Sequence, residues 1–203
     1  MNSLPDDGVA TPPDFVEPVL AATVLLVTPG HGGLEVLMVR RPPIGFFGGV
    51  WVFPGGTVDP GDHVGDDLPE QAFRRAAVRE LAEEVGIALD TDSLAFVSRW
   101  VTPSMFPRRY DTHFYLAAVA SALPLTLAVD ELEEASYITP AAALGAHQAQ
   151  QWPMVLPTLA HLRWLARFTT IDQALESTRR ARLDPVTPAI AADGSLVPVD
   201  IPW

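Results

Sequence analysis

Arg79-Glu80-Leu81-Ala82-Glu83-Glu84-Val85-Gly86-Ile87 is the stretch on which the reading of this chain turns. Upstream of it, Phe73, Ala77, Leu81 and Val85 recur every four positions, the period of one helical face. Asp66 or Asp67 is suited to cap the start of that helix, and Pro69 fits its first turn, where a missing N–H is no loss. Gly86 closes it, because helices commonly end on a left-handed residue that glycine adopts without a Cβ penalty. Glu80 and Glu84 are four apart and Glu80 and Glu83 three apart, so the helix gathers their carboxylates on one side. Carboxylates at close range repel each other, and a hard divalent cation reverses that. Mg²⁺ and Mn²⁺ take oxygen ligands and bridge readily to phosphates.

Outward from the helix, strands dominate the N-terminal side. Val19–Thr28 is a continuous apolar run suited to a buried strand. Pro29-Gly30-His31-Gly32-Gly33 reads as a turn and Leu34–Arg40 as a second strand, so the two form a hairpin. A Gly- and Pro-rich loop, Arg41–Gly49, leads to a short strand at Val50–Phe53, which Pro54-Gly55-Gly56 breaks. Beyond the helix, Leu94–Val101, Thr112–Ala120 and Glu134–Ile138 read as strands. Pro140–Gln151, Pro153–Phe168 and Ile171–Arg180 read as helices, with Pro157 implying a kink or a late start in the second. This order predicts an α/β (α+β) fold with a mixed sheet, flanking helices and extra C-terminal helices. Residues 1–17 read as a flexible arm, 18–182 as the domain, and 183–203 as a Pro-rich tail.

Bulk composition narrows the function. The 203 residues are 48% hydrophobic, enough for one domain with a sizeable core. No apolar run reaches about 18 residues, so no membrane span is expected. The N-terminus lacks the basic-then-apolar pattern of a secretory signal. With no cysteine, disulfides, thiolate metal sites and cysteine nucleophiles are excluded. A cytoplasmic location is the expectation. Thirteen basic against 25 acidic residues give a net charge of −12, which repels a nucleic-acid polymer. A small phosphorylated substrate is compatible with that charge once a cation screens it. The apolar residues of the C-terminal helices, such as Leu162, Trp164 and Leu165, suit burial against the sheet or a homodimer contact.

The Arg79–Ile87 stretch resembles the Nudix box, G-x5-E-x7-R-E-U-x-E-E-x-G-U, where U is apolar. Aligned on Arg79, the box runs from Gly65 to Ile87, and Gln71 stands where the first glutamate is expected. Phe53-Pro54-Gly55-Gly56 is similar to the family's Gly-rich entry. The resemblance implies an α/β/α sandwich and hydrolysis of a diphosphate in a small nucleotide-derived molecule. It implies Mg²⁺ or Mn²⁺ held by Glu80, Glu83 and Glu84. Arg79 would orient a box carboxylate, and Glu80 is one candidate base. In some members the base lies on a later loop, here the acidic run Asp130, Glu131, Glu133 and Glu134. Some Nudix folds sense a nucleotide without cleaving it, which is the second reading. A structural Ca²⁺ site is a third, but the aspartates of 59–67 lack the spacing of an EF-hand loop.

Substrate clues lie outside the box. Arg40, Gly49 and Phe53 match the spacing of the branch containing coenzyme A diphosphatases, although Gly45 replaces a second arginine. Coenzyme A or its acyl esters are therefore the first expected substrates, narrowly ahead of ADP-ribose, NADH-type dinucleotides and nucleoside triphosphates. Gly55, Gly56 and Arg40 are expected to contact substrate. So are Arg108 and Arg109, since paired guanidinium groups match phosphate geometry.

Overall fold

Successive side chains of the first apolar run point to opposite sides, and both sides are buried. The computed structural model describes residues 16–44, 48–201 and 203. β1 (Val19–Gly30) pairs antiparallel with β2 (Gly33–Arg40), as the hairpin reading predicts, and parallel with β6 (Tyr110–Ala118). With β3 (Trp51–Val52), β5 (Ala95–Val101) and β8 (Pro185–Val186), the strand order is β3-β2-β1-β6-β5-β8. β4 (Gly55–Thr57) pairs with β1, and β7 (Glu134–Ile138) with β2.

Ala22, Val24, Leu26, Leu37 and Val39 lie beneath α1 (Pro69–Val85). Leu25, Val27, Val36, Met38 and Leu116 face the opposite way, toward α2 (Pro140–Gln148), α3 (Leu156–Leu165) and α4 (Ile171–Thr178). Two apolar faces thus produce three layers, an α/β/α sandwich with a mixed sheet. Leu162, Trp164 and Leu165 are buried in this core, so the surface considered for a second copy is internal.

Several boundaries differ from expectation for local reasons. α1 starts at Pro69 with Leu68 as its N-cap and no capping side chain; Asp67 is engaged with Arg75 at 3.0 Å instead. Phe73, Ala77, Leu81 and Val85 are all buried, and Gly86 ends the helix at φ 75°. α3 starts late, with Pro157 in its first turn. Pro54 does break a strand, but the chain resumes at once as β4. A Cβ on Gly55 would run into the backbone of Ala22 and Thr23, so glycine permits this close approach.

The Pro-rich C-terminal residues are docked. β8 joins the sheet edge, Ile201 is buried, and Trp203 Nε1–H donates to Val97 O at 2.9 Å. Trp164 Nε1–H donates to Trp203 O at 2.7 Å. Of the N-terminal arm, residues 1–15 lie outside the described residues. Among the described residues no helix is long and apolar enough to cross a membrane.

One polar chain crosses the core beneath α3. His161 is sealed from solvent and stacks on Phe114, with ring centroids 4.0 Å apart. Its Nδ1 faces Pro157 O at 2.7 Å and its Nε2 faces Ser98 Oγ at 2.8 Å, while Trp100 Nε1–H donates to Ser98 Oγ at 3.1 Å. With Nδ1 protonated, His161 donates to Pro157 O and accepts from Ser98, so the group is satisfied while neutral. Burial pushes its pKa down to about 3, against a smaller opposing effect of the Pro157 carbonyl.

Candidate active site

α1 carries its glutamates to the place where β4 lies against β1. Glu84 is fully buried. Its Oε2 accepts from Gly55 N–H at 2.9 Å and its Oε1 from Arg41 at 3.1 Å. Arg41 also donates to Gly55 O at 2.7 Å, so one guanidinium ties the loop after β2 to β4 and the helix. Burial is the main cause that pushes the Glu84 carboxyl up to about 7. Arg41 and Gly55 N–H oppose it, and the like charges of Glu80 and Glu131 reinforce it.

Glu80 lies one turn earlier, partly buried, and burial raises its pKa too, with Arg79 opposing and Glu83 and Glu131 adding repulsion. Gly56 makes room for it, since a Cβ there would fall on the Glu80 carboxylate. Glu83 is more exposed and is tied to Arg79 at 2.8 Å. The sequence-predicted trio is therefore split. Glu80 and Glu84 turn inward and feel the charge of Glu131, whereas Glu83 stays at the rim.

Arg79 is the hub. Its Nη1 donates to Glu80 at 2.9 Å and Glu83 at 2.8 Å, and its Nη2 donates to Thr57 O at 2.9 Å. Its main anchor is Asp62, met by Nε at 3.2 Å and Nη2 at 3.0 Å. Burial alone would raise the Asp62 carboxyl; Arg79 and the Asp59 N–H outweigh it and hold it below the usual range. Together these contacts hold Arg79 firmly cationic.

Asp62 corrects the reading of the box. Gln71 lies eight residues before Arg79 on the same helix, about 12 Å along its axis. Asp62, not Gln71, is the side chain that meets Arg79. Counting from Gly56 rather than Gly65, five residues precede Asp62, which is the expected spacing. Sixteen residues then separate Asp62 from Arg79 where the box has seven, so nine extra residues stand between the acid and the helix. The exposed turn at 63–68 belongs to that insertion. The signal was present in Gly56-x5-Asp62, but fixed spacing to Arg79 hid it.

The arginines and later acids also sort themselves. Arg40 is paired with Glu133 at 2.9 Å and Glu134 at 3.5 Å, and its neighbour Arg41 is the one that lines the cleft. Adjacent positions at a strand end point to opposite faces, which accounts for the swap. Of the four later acids, Glu131 lines the cleft. Arg108 lines it as well, with its guanidinium 5.5 Å from the Tyr110 ring centre. Arg109 is buried and donates to Thr102 O at 3.0 Å and Val16 O at 2.7 Å, holding backbone together. Residues 45–47 of the Gly-rich loop lie outside the described residues.

The cleft has a volume of about 590 Å³, within the range of small-molecule sites. Gly55, Gly56, Glu80 and Glu131 border one end. The donor set is all oxygen, and like-charge repulsion among Glu80, Glu84 and Glu131 is what a hard cation would relieve. Among the described residues, no three acidic or histidine side chains are yet grouped around a common point; Arg79, Arg41 and Gly55 N–H hold them singly.

Comparison with known proteins follows the same lines. The profile of the NUDIX domain matches residues 17–156. A Caenorhabditis elegans protein named nudix hydrolase 7 is 28% identical over 175 residues, covering 68% of this chain and 58% of its own length. The chain thus spans little more than half of that relative. An 8-oxo-dGTP diphosphatase of Proteus vulgaris is 38% identical over 78 residues, 36% of this chain and 62% of that protein. The crystal structure of a NUDIX hydrolase from Alicyclobacillus acidocaldarius superposes with a TM-score of 0.71 at 26% identity, covering 79% of this chain and 96% of the other.

Proposed function

The chain belongs to the NUDIX domain family, and from that premise we propose that it is a divalent-metal-dependent hydrolase of a diphosphate linkage in a nucleoside diphosphate derivative. The observation that carries this reading is that Glu80 and Glu131 line one end of the cleft beside Arg41, with the buried Glu84 behind them feeling the charge of both. Glu80 and Glu84, with Glu83 and Glu131 alongside, are the residues that would hold Mg²⁺ or Mn²⁺. When bound, such an ion screens the diphosphate charge and makes water a better nucleophile at neutral pH.

The chain's own residues do the rest. Arg41 draws the diphosphate oxygens into the cleft, and Gly56 lets them approach the backbone, while Arg108 stands toward the far end of the cleft. Glu131 takes a proton from the attacking water, whose oxygen bonds to one phosphorus. The bridging P–O bond breaks, and its electrons leave with the other phosphate. Arg79, fixed by Asp62, positions Glu80 and Glu83 and does not touch substrate.

Coenzyme A or its acyl esters are the substrates this reading favours, with ADP-ribose and NADH-type dinucleotides behind them. The test is a product assay across that panel with Mg²⁺, with Mn²⁺ and with EDTA. Release of a nucleoside monophosphate that EDTA stops is the expected result. Binding without product would replace the hydrolase with a nucleotide sensor.

A further inference from the structure

The cleft floor is a single row of the sheet. Thr57 on β4 is in register with Ala21 on β1, Ala21 with Thr112 on β6, Thr112 with Trp100 on β5, and Trp100 with Val186 on β8. Residues paired side by side project to the same face. Thr57, Ala21, Thr112 and Trp100 all border the cleft, as does Pro188, two residues beyond Val186. Three inter-strand steps of ordinary spacing, from Thr57 to Trp100, make this floor about 14 Å long.

Its two ends differ in chemistry. At the β4 end stand Arg41, Glu80 and Glu131. At the β5–β8 end the walls are mostly apolar, with Phe106, Leu156, Pro157, Pro188 and Leu196 beside the hydroxyl-bearing Thr102, Tyr110 and Thr158, and Arg108 is the one charged side chain there among the described residues. Pro188 and Leu196 come from the C-terminal segment. An antiparallel bridge between Ile190 and Leu196 folds that segment back on itself. Trp203, bonded to Val97 O, and the buried Ile201 fasten it to the body.

From this gradient we infer that the C-terminal hairpin is a specificity wall, selecting substrates whose non-nucleotide arm is an uncharged aliphatic chain running from the diphosphate toward Leu196. The inference rests on the hydrolase reading for where the diphosphate lies, but the arm's preference is measurable without turnover. A polyhydroxylated arm of the same length would leave its hydroxyls facing proline and leucine carbon, at a desolvation cost the aliphatic arm does not incur.

The test uses the full chain and two probes, the β-methyl and β-octyl esters of ADP. Burying as few as two methylenes is worth about tenfold, so the octyl ester should show a KM at least tenfold below the methyl ester. Leu196→Asp should bring the two KM values together, by raising that of the octyl ester. Leu196→Met should restore the preference. Leu196 is only partly buried, so these changes spare the core. Equal KM values in the unaltered protein, or a preference that survives Leu196→Asp, would overturn the inference. If neither ester is cleaved, the hydrolase reading fails. Quenching of tryptophan fluorescence then decides the wall separately: tighter octyl binding that Leu196→Asp abolishes supports it, and equal binding overturns it.

Discussion

Glu84 and His161 are both sealed from solvent, on opposite faces of one sheet, and they are treated in opposite ways. His161 has a neutral partner on each ring nitrogen and a ring stacked on Phe114. It is a finished piece of core. Glu84 has Arg41 and one N–H, but it also has Glu80 and Glu131, whose charges push it toward protonation near neutral pH. A core built only for stability would not retain that arrangement. A buried polar group with a complete partner set marks structure; one whose neighbours work against it marks a place held ready for something else.

The sharpest way to break this contrast is to exchange stability against turnover. Glu84→Gln should lower diphosphate hydrolysis at least about 100-fold while leaving thermal stability at pH 8 unchanged or higher. His161→Ala should do the reverse, costing about 3 kcal/mol in denaturant unfolding through a cavity and stranded partners, with kcat of the folded fraction within twofold. If both substitutions cost stability alike, Glu84 is ordinary core.

Acidity sharpens the same contrast. In the folded, metal-free protein Glu84 keeps its proton up to about 7, whereas the unfolded carboxyl releases it near 4.5. The folded state therefore binds more protons between those values. Stability should fall as pH rises through that window, by up to about 3 kcal/mol. His161 acts at the other side, titrating at about 3 when folded and 6.5 when unfolded, so stability is lost as pH falls below 6.5. The two windows overlap between about 4.5 and 6.5, where the opposite slopes offset in the unaltered protein, so melts in EDTA from pH 4 to 8 should be nearly flat there and show the His161 limb once Glu84 is replaced. Glu84→Gln should flatten the neutral limb, and added Mg²⁺ should lift it.

A smaller effect is expected at the hub. Asp62→Asn should destabilise by about 1–2 kcal/mol, since it weakens a charge-assisted contact to Arg79, and should slow turnover through misplaced Glu80. Gln71→Glu should change neither stability nor turnover beyond twofold, as its position is about 12 Å along the helix from Arg79. Smallest of all is Arg40→Ala. Its pairs with Glu133 and Glu134 are more than a third exposed, so unfolding should shift by no more than about 0.5 kcal/mol.

Much of this was legible in the chain. The four-residue period and Gly86 fixed α1 because one face of a helix repeats so regularly, and Glu80 and Glu84 fell together for the same reason. Glu131 could not be told from Asp130, Glu133 and Glu134, because only tertiary pairing with Arg40 removes two of them. Arg40 was preferred to Arg41 because motif spacing carries no information on which side of a strand end faces the cleft. The last twenty residues hid their order, since they are fastened by single contacts such as Trp203 to Val97 rather than by any repeating pattern.

The turn at 63–68 has one more implication. Arg79 is located by its grip on Asp62 and Thr57, a link through side chains that bypasses the intervening backbone. Added length at this point need not shift the Arg79–Asp62 contact, which makes the segment a splice point: an epitope or fluorophore-acceptor peptide inserted there should leave Arg79 in place.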